Sequence, residues 1–206
     1  MNPVNPTPTS LTRRNAVTLL AAAFSLSSSL VQAAAPSAPQ VKFSTSEGDF
    51  VVEVYPDKAP KTVENFLRYV KDKHYDGTIF HRVINNFMIQ GGGYDASYAE
   101  KKTRAPVVHE GREALAKGGP KNTVGTLAMA RTNDPDSATA QFFINVKDND
   151  FLNPSAQAPG YTVFGKVVSG LETVNKIKDV PTGAGGPFSS DVPKAPLLIK
   201  SATLVK

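Results

Sequence analysis

The 206-residue chain contains no cysteine and no tryptophan, and only three histidines. The lack of cysteine excludes disulfides, thiolate metal sites and cysteine nucleophiles. His74, His81 and His109 are too few and too scattered for a His-rich metal cage, and no metal or organic cofactor is expected. An excess of one charge is also missing. Lys and Arg number 23 against 18 acids, a formal +5, and the charges are dispersed. The only tight basic cluster is Lys101, Lys102 and Arg104, with Glu100 before it. Nucleic-acid binding calls for a basic stripe on a recognisable module, so no nucleic-acid partner is expected. Neither GxSxG, HExxH, a Walker A loop nor an EF-hand loop occurs, and Gly91-Gly92-Gly93 lacks the strand–GxGxxG–helix context of a nucleotide site. Its better reading is a tight bend with close backbone approach.

What is present begins with an address. Arg13 and Arg14 precede a short apolar run, Ala16 to Phe24, and the segment closes on Val31-Gln32-Ala33 and Ala33-Ala34-Ala35. A basic start, a short apolar stretch and small-x-small sites describe a secretory signal peptide over residues 1–33, cleaved after Ala33 or Ala35. The run is well short of the ~20 apolar residues that span a bilayer, so no stable membrane insertion is expected. The arginine pair admits a twin-arginine route, although Ala16 stands where such a motif carries a bulky apolar residue. The general secretory route stays open beside it. The segment carries two arginines and no acid, so the remainder is less basic by two charges. The expected location is the periplasm.

Residues 34–40 read as a short Pro/Ala/Ser linker, and 41–206 as one domain. Val41–Phe43 and Phe50–Tyr55 flank a turn at Glu47-Gly48-Asp49, a strand–turn–strand pattern. Val63, Phe66, Leu67 and Val70 recur at helical spacing after Thr62, which is expected to cap that helix. Strand candidates follow at Ile79-Phe80, Val83-Ile84, Phe87–Ile89, Thr126–Ala130, Gln141–Val146, Tyr161–Val168 and Leu197–Leu204. Leu171, Val174 and Ile177 mark a second helix, and Asp95–Asn122 reads as a long loop. Many short strands with two helices point to a mainly β architecture, a barrel or sandwich.

Three segments carry an unusual density of chemistry. They are Phe80-His81-Arg82-Val83-Ile84 continuing to Phe87-Met88-Ile89-Gln90-Gly91-Gly92; Gly125-Thr126-Leu127-Ala128-Met129-Ala130-Arg131 continuing to Gln141-Phe142-Phe143-Ile144; and Phe151-Leu152-Asn153 continuing to Tyr161-Thr162-Val163-Phe164-Gly165-Lys166-Val167. On periodicity alone Phe87, Met88, Phe143 and Leu152 would be core, and Arg82 a surface ion-pair partner.

Taken together, these segments resemble the cyclophilin-type peptidyl-prolyl cis–trans isomerases over about Val41 to Lys206, most closely the small periplasmic members of Gram-negative bacteria. The resemblance implies a closed eight-stranded antiparallel β-barrel capped by two α-helices, with the substrate groove on its outer face. It implies Arg82 as the catalytic arginine, assisted by Gln90. It assigns substrate binding to Phe87, Met88, Ala130, Arg131, Gln141, Phe143, Phe151, Leu152 and Tyr161. Tyr161 stands where many members have His, and Phe151 where eukaryotic members often have Trp. Phe151 lacks an indole donor, so weak cyclosporin binding is expected. Asn85-Asn86 replaces the family's Pro-Gly, and both residues tolerate a left-handed turn. His81 has no visible carboxylate partner, and rotation about an amide needs no base; it reads as structural.

The implied activity is rotation about X–Pro bonds in unfolded or flexible exported polypeptides, assisting their folding, by a monomer. Two alternatives stand beside it. One is a cyclophilin-like module or chaperone that grips proline segments with little turnover. The other is a lipocalin-like carrier with a ligand-filled barrel.

Overall fold

A computed structural model describes residues 38–205, and the signal-peptide and cleavage-site expectations lie outside the described residues. Ten strands and three α-helices follow in the order β1 Gln40–Thr45, β2 Gly48–Val54, α1 Pro60–Lys71, β3 Thr78–Ile84, β4 Met88–Asp95, α2 Gly111–Ala116, β5 Thr126–Met129, β6 Phe142–Asn145, β7 Val163–Ser169, α3 Leu171–Lys178, β8 Thr182–Gly185, β9 Phe188–Pro193 and β10 Leu198–Leu204. Eight strands close an antiparallel barrel in the order β1-β10-β3-β4-β6-β5-β7-β2, while β8 and β9 form a separate hairpin. Among the described residues no helix is long and apolar enough to cross a membrane.

Successive side chains on a strand point to opposite faces, so each barrel strand supplies one set inward and one outward. Phe43, Phe50, Phe80, Leu127, Phe142, Ile144 and Phe164 form the inner set, all but fully buried. Their rings interlock: Phe43 stacks on Phe50 at 5.0 Å, and Phe66 of α1 reaches Phe164 at 5.1 Å. Val63, Phe66, Tyr69 and Val70 of α1 and Val174 and Ile177 of α3 belong to the same core. Burial of each large apolar side chain contributes about 1.5–3 kcal/mol. The interior is packed with side chains, which removes the carrier reading.

Several local expectations are corrected. The long polar loop holds a third helix, α2, whose six residues are too few to show a periodic face. Thr62 does not cap α1; the helix starts at Pro60, whose missing N–H suits the first helical position. The cap comes from far along the chain. Glu110, 8% exposed, accepts hydrogen bonds from the Lys61 N–H at 3.1 Å, the Thr62 N–H at 2.8 Å and the Thr62 hydroxyl at 2.8 Å. Gly91-Gly92-Gly93 does not end its strand, because β4 runs through it. Close approach is nevertheless the reason for glycine there. Gly92 has φ +86°, and a Cβ would lie 2.8 Å from the Tyr75 ring; at Gly93 one would lie 2.6 Å from the Gln141 side chain. Asn86 takes φ +61° in the β3–β4 turn, as its side chain permits.

Glu110→Ala strips the N-terminus of α1 of a buried acceptor that three donors share. The expected loss is about 2–4 kcal/mol of unfolding free energy, with Glu110→Gln, which keeps an acceptor oxygen, costing less. Urea denaturation of both variants checks this, and an Ala variant as stable as the unmodified chain contradicts it.

Candidate functional site

The outward-facing set is not uniformly polar. Met88 of β4, Ala128 of β5, Phe143 of β6 and Val163 of β7 join Leu152 in a second buried apolar cluster, with Ile84, Phe87, Ala130 and Tyr161 packed against it. Strand register generates this patch. Arg82 of β3 is paired with Gln90 of β4, Gln90 with Phe143 of β6, Phe143 with Ala128 of β5, and Ala128 with Val163 of β7. These residues form one transverse row across five strands. Its polar end is Arg82 and Gln90, and its apolar end is the cluster.

A pocket of about 110 Å³ sits on this row, lined by Arg82, Phe87, Met88, Gln90, Ala130, Arg131, Phe143, Leu152 and Tyr161. Nine of the eleven site residues expected from the sequence therefore meet at one concavity. Gln141 does not line it. It lies in an adjoining depression shared with Gln90, Ala130 and Arg131, where it accepts a hydrogen bond from the Gln90 Nε2 at 3.0 Å. Phe151 is the other exception. It is 72% exposed on the rim, with its ring stacked on Phe87 at 5.7 Å.

Arg82 is a half-exposed charge at the site, with 43% of its side chain exposed. Its Nη1 lies 3.5 Å from the Gln90 Oε1, and its Nε 4.0 Å from the Asp191 Oδ2. Arg131 is anchored differently. Its Nη2 and Nε donate to the Gly160 carbonyl at 2.9 and 3.3 Å, and its guanidinium lies 4.5 Å from the centre of the Tyr161 ring. Tyr161 in turn meets the Phe143 ring edge-on at 5.4 Å. Arg131 is thus a strut for the pocket wall, while Arg82 keeps donors to offer.

A buried asparagine network that the sequence did not signal holds the other wall. Asn149 Nδ2 donates to the Phe87 carbonyl at 2.9 Å and to Asn145 Oδ1 at 2.7 Å. Asn145 Nδ2 donates to Asn122 Oδ1 at 3.2 Å, and Asn122 Nδ2 to the Leu152 carbonyl at 3.2 Å. The backbones that carry Phe87 and Leu152 are tied together through these amides. Asparagines read as loop residues in sequence, so nothing in their spacing revealed the network.

His81 takes no part in the pocket. It is 3% exposed, its ring packs against Tyr94 at 4.7 Å and Phe188 at 5.4 Å, and its Nδ1 has no hydrogen-bond partner. Burial, with the adjacent Arg82 charge adding to it, pushes its pKa down to about 4. His74 and His109 are also held below the usual imidazole value, chiefly by burial. Among the described residues no cluster of His, Asp and Glu could hold a metal ion.

Comparison with known proteins gives a consistent picture. A family model for the cyclophilin type peptidyl-prolyl cis-trans isomerases matches residues 40–204. Peptidyl-prolyl cis-trans isomerase B of Escherichia coli (strain K12) is 54% identical over 167 residues, which cover 80% of this chain and 98% of the relative. A peptidyl-prolyl cis-trans isomerase of Acinetobacter baylyi is 51% identical over 175 residues, covering 85% and 90%. The crystal structure of a Cryptosporidium parvum cyclophilin type peptidyl-prolyl cis-trans isomerase superposes with a TM-score of 0.65 at 26% identity, covering 82% of this chain and 98% of the other.

His81 also sets a pH dependence. Its folded pKa of about 4 lies below the unfolded value of 6.5, so the unfolded chain binds the proton first as pH falls. The stability tied to a neutral His81 is complete above about pH 6.5 and declines down to about pH 4, by about 3 kcal/mol in all. His81→Phe keeps an apolar ring and removes the titration. The stability difference between the two proteins should therefore shift toward the variant by that amount between pH 7 and pH 4, as chemical denaturation at each pH reads. Parallel profiles contradict the assignment.

Proposed function

The chain belongs to the cyclophilin-type peptidyl-prolyl cis–trans isomerases and catalyses that reaction; we propose that it does so by holding the Arg82 guanidinium against the nitrogen of a twisted X–Pro amide. Resonance keeps the amide planar, with a barrier of about 18–20 kcal/mol. For X–Pro the cis form is close in energy, but uncatalysed exchange takes tens to hundreds of seconds. No bond is made or broken. The catalyst must bind the twisted amide better than either planar form. On twisting, the proline nitrogen regains its lone pair and becomes an acceptor. A guanidinium is always charged and presents its N–H groups in a fixed fork, which suits that acceptor. Phe87, Met88, Phe143 and Leu152 grip the pyrrolidine ring while the acyl side turns. Gln90, Gln141 and the backbone at Ala130 and Arg131 hold the peptide. The observation that carries this reading is the transverse row, which sets Arg82 at the lip of an apolar pocket of ring dimensions.

Two substitutions separate the roles. Arg82→Ala removes a contact made mainly in the twisted state, so kcat should fall by ~10²–10³ while peptide affinity changes little. Phe143→Ala opens the pocket in every state and should weaken both affinity and turnover. Exchange rates on a short X-Pro peptide and NMR titration read the two effects, with circular dichroism as the fold control. A folded Arg82→Ala protein with near-normal turnover removes the assignment, and an unmodified chain that binds without turnover would indicate a proline-binding module instead.

Export and folding assistance form the physiological part of the proposal. Arg13-Arg14, the short apolar run and the alanine-rich site support secretion to the periplasm, where extended clients expose X–Pro bonds. N-terminal sequencing of periplasmic protein should find a start at Ala34 or Pro36, and an intact Met1 in the exported pool contradicts cleavage.

A further inference from the structure

We propose that Asp191, on the β8–β9 hairpin outside the barrel, is a positioning residue that orients the Arg82 guanidinium. The inference rests on the reading of Arg82 as the donor to the proline nitrogen. The fork of an arginine is planar, so acceptors on two of its edges define its plane. Gln90 Oε1 stands on one edge, 3.5 Å from Nη1, and Asp191 Oδ2 on the other, 4.0 Å from Nε. Nη2 donates to no described residue and is left for a substrate.

Three observations show that the carboxylate is delivered rather than passing by. The hairpin is docked beside β3: Phe188 of β9 stacks on His81 at 5.4 Å and meets Tyr94 edge-on at 5.2 Å. Tyr98 packs closely against Gly185 and Gly186, next to the hairpin turn, and Val192, the neighbour of Asp191, is buried. Asp191 itself takes φ +65°, a left-handed conformation uncommon for non-glycine residues, although Asp adopts it more readily than most. Glycine would meet that backbone more easily, yet a carboxylate occupies the position. Finally, a cleft of about 260 Å³ opens between Arg82 and the hairpin, lined also by His81, Ser189 and Ser190. A long side chain beside open space samples many rotamers, and a charge fixed on the far wall restricts them.

Asp191→Asn isolates the charge, because Asn tolerates the same backbone. Asp191→Gly, which also accepts φ +65°, is the second variant should the first disturb the hairpin. The mature chain, both variants, Arg82→Ala and the Arg82→Ala/Asp191→Asn pair are compared by NMR exchange spectroscopy on an X-Pro peptide over a range of concentrations. The side-chain Nε–H resonance of Arg82 is followed in parallel. An exposed pair at this distance should be worth about two- to fivefold, and the fall should lie in kcat with KM unchanged. The Nε–H resonance should move, and the effect should vanish in the Arg82→Ala background. Folded variants with unaltered kcat and an unmoved resonance overturn the inference while leaving Arg82 in its role. An equal loss in the Arg82→Ala background overturns it too, since Asp191 would then act elsewhere. Full turnover in Arg82→Ala alone removes the Arg82 reading, and this inference with it.

Discussion

The pairing register of β3, β4, β6, β5 and β7 is the constraint on which everything else depends. Alternation along β4, β6, β5 and β7 sends Ile89, Phe142, Leu127 and Phe164 inward; in β3 the register shifts between Phe80 and Arg82, so Phe80 and Val83 face the core while the row from Arg82 to Val163 stays on the outer face. A slip of one residue in any of them would exchange the two sets. Arg82 would then enter a packed aromatic core, where an unpaired charge is untenable. The requirement that fills the barrel is therefore the one that assembles the pocket. The glycines of β4 belong to the same constraint, since side chains there would collide with Tyr75, Phe80 and Gln141.

Rigidity follows from how the row is fastened at its margins. Arg131 clamps the Gly160 carbonyl beneath Tyr161, and the asparagine chain from Asn149 to Asn122 joins the backbones at Phe87 and Leu152. Such supports matter for a reaction in which nothing covalent happens. If catalysis consists of fitting a twisted amide better than a planar one, the fit has to be held by the protein before the substrate arrives. The buried, neutral His81 suits this picture: it is a packing ring between β3 and the hairpin, and contributes no proton chemistry.

A mainly β architecture and the helices α1 and α3 were legible in periodicity, whereas the closed barrel and the nine pocket residues came from the likeness of the three motif segments to a family, since periodicity alone would put Phe87, Met88, Phe143 and Leu152 in the core. What escaped lies where contacts are long-range. Glu110 caps a helix 48 residues away, which no local spacing encodes, and Thr62 looked like the cap because it directly precedes the apolar pattern that starts at Val63. The β8–β9 hairpin carries Gly183, Gly185, Gly186, Pro187, Ser189 and Ser190, with too little alternation to announce strands. Asp191 was invisible for the same reason. Phe151 was read by its position in a motif, yet its ring lies on the rim against Phe87 because the short turn Asp150–Leu152 points only Leu152 inward.

The most direct test of the account is a crystal structure of the mature chain with an X-Pro peptide bound. The account predicts the pyrrolidine ring among Phe87, Met88, Phe143 and Leu152, with an Arg82 guanidinium nitrogen facing the proline nitrogen at about hydrogen-bond distance, ~3 Å. A ring seated elsewhere on the barrel, or an Arg82 turned away from the amide, would contradict it.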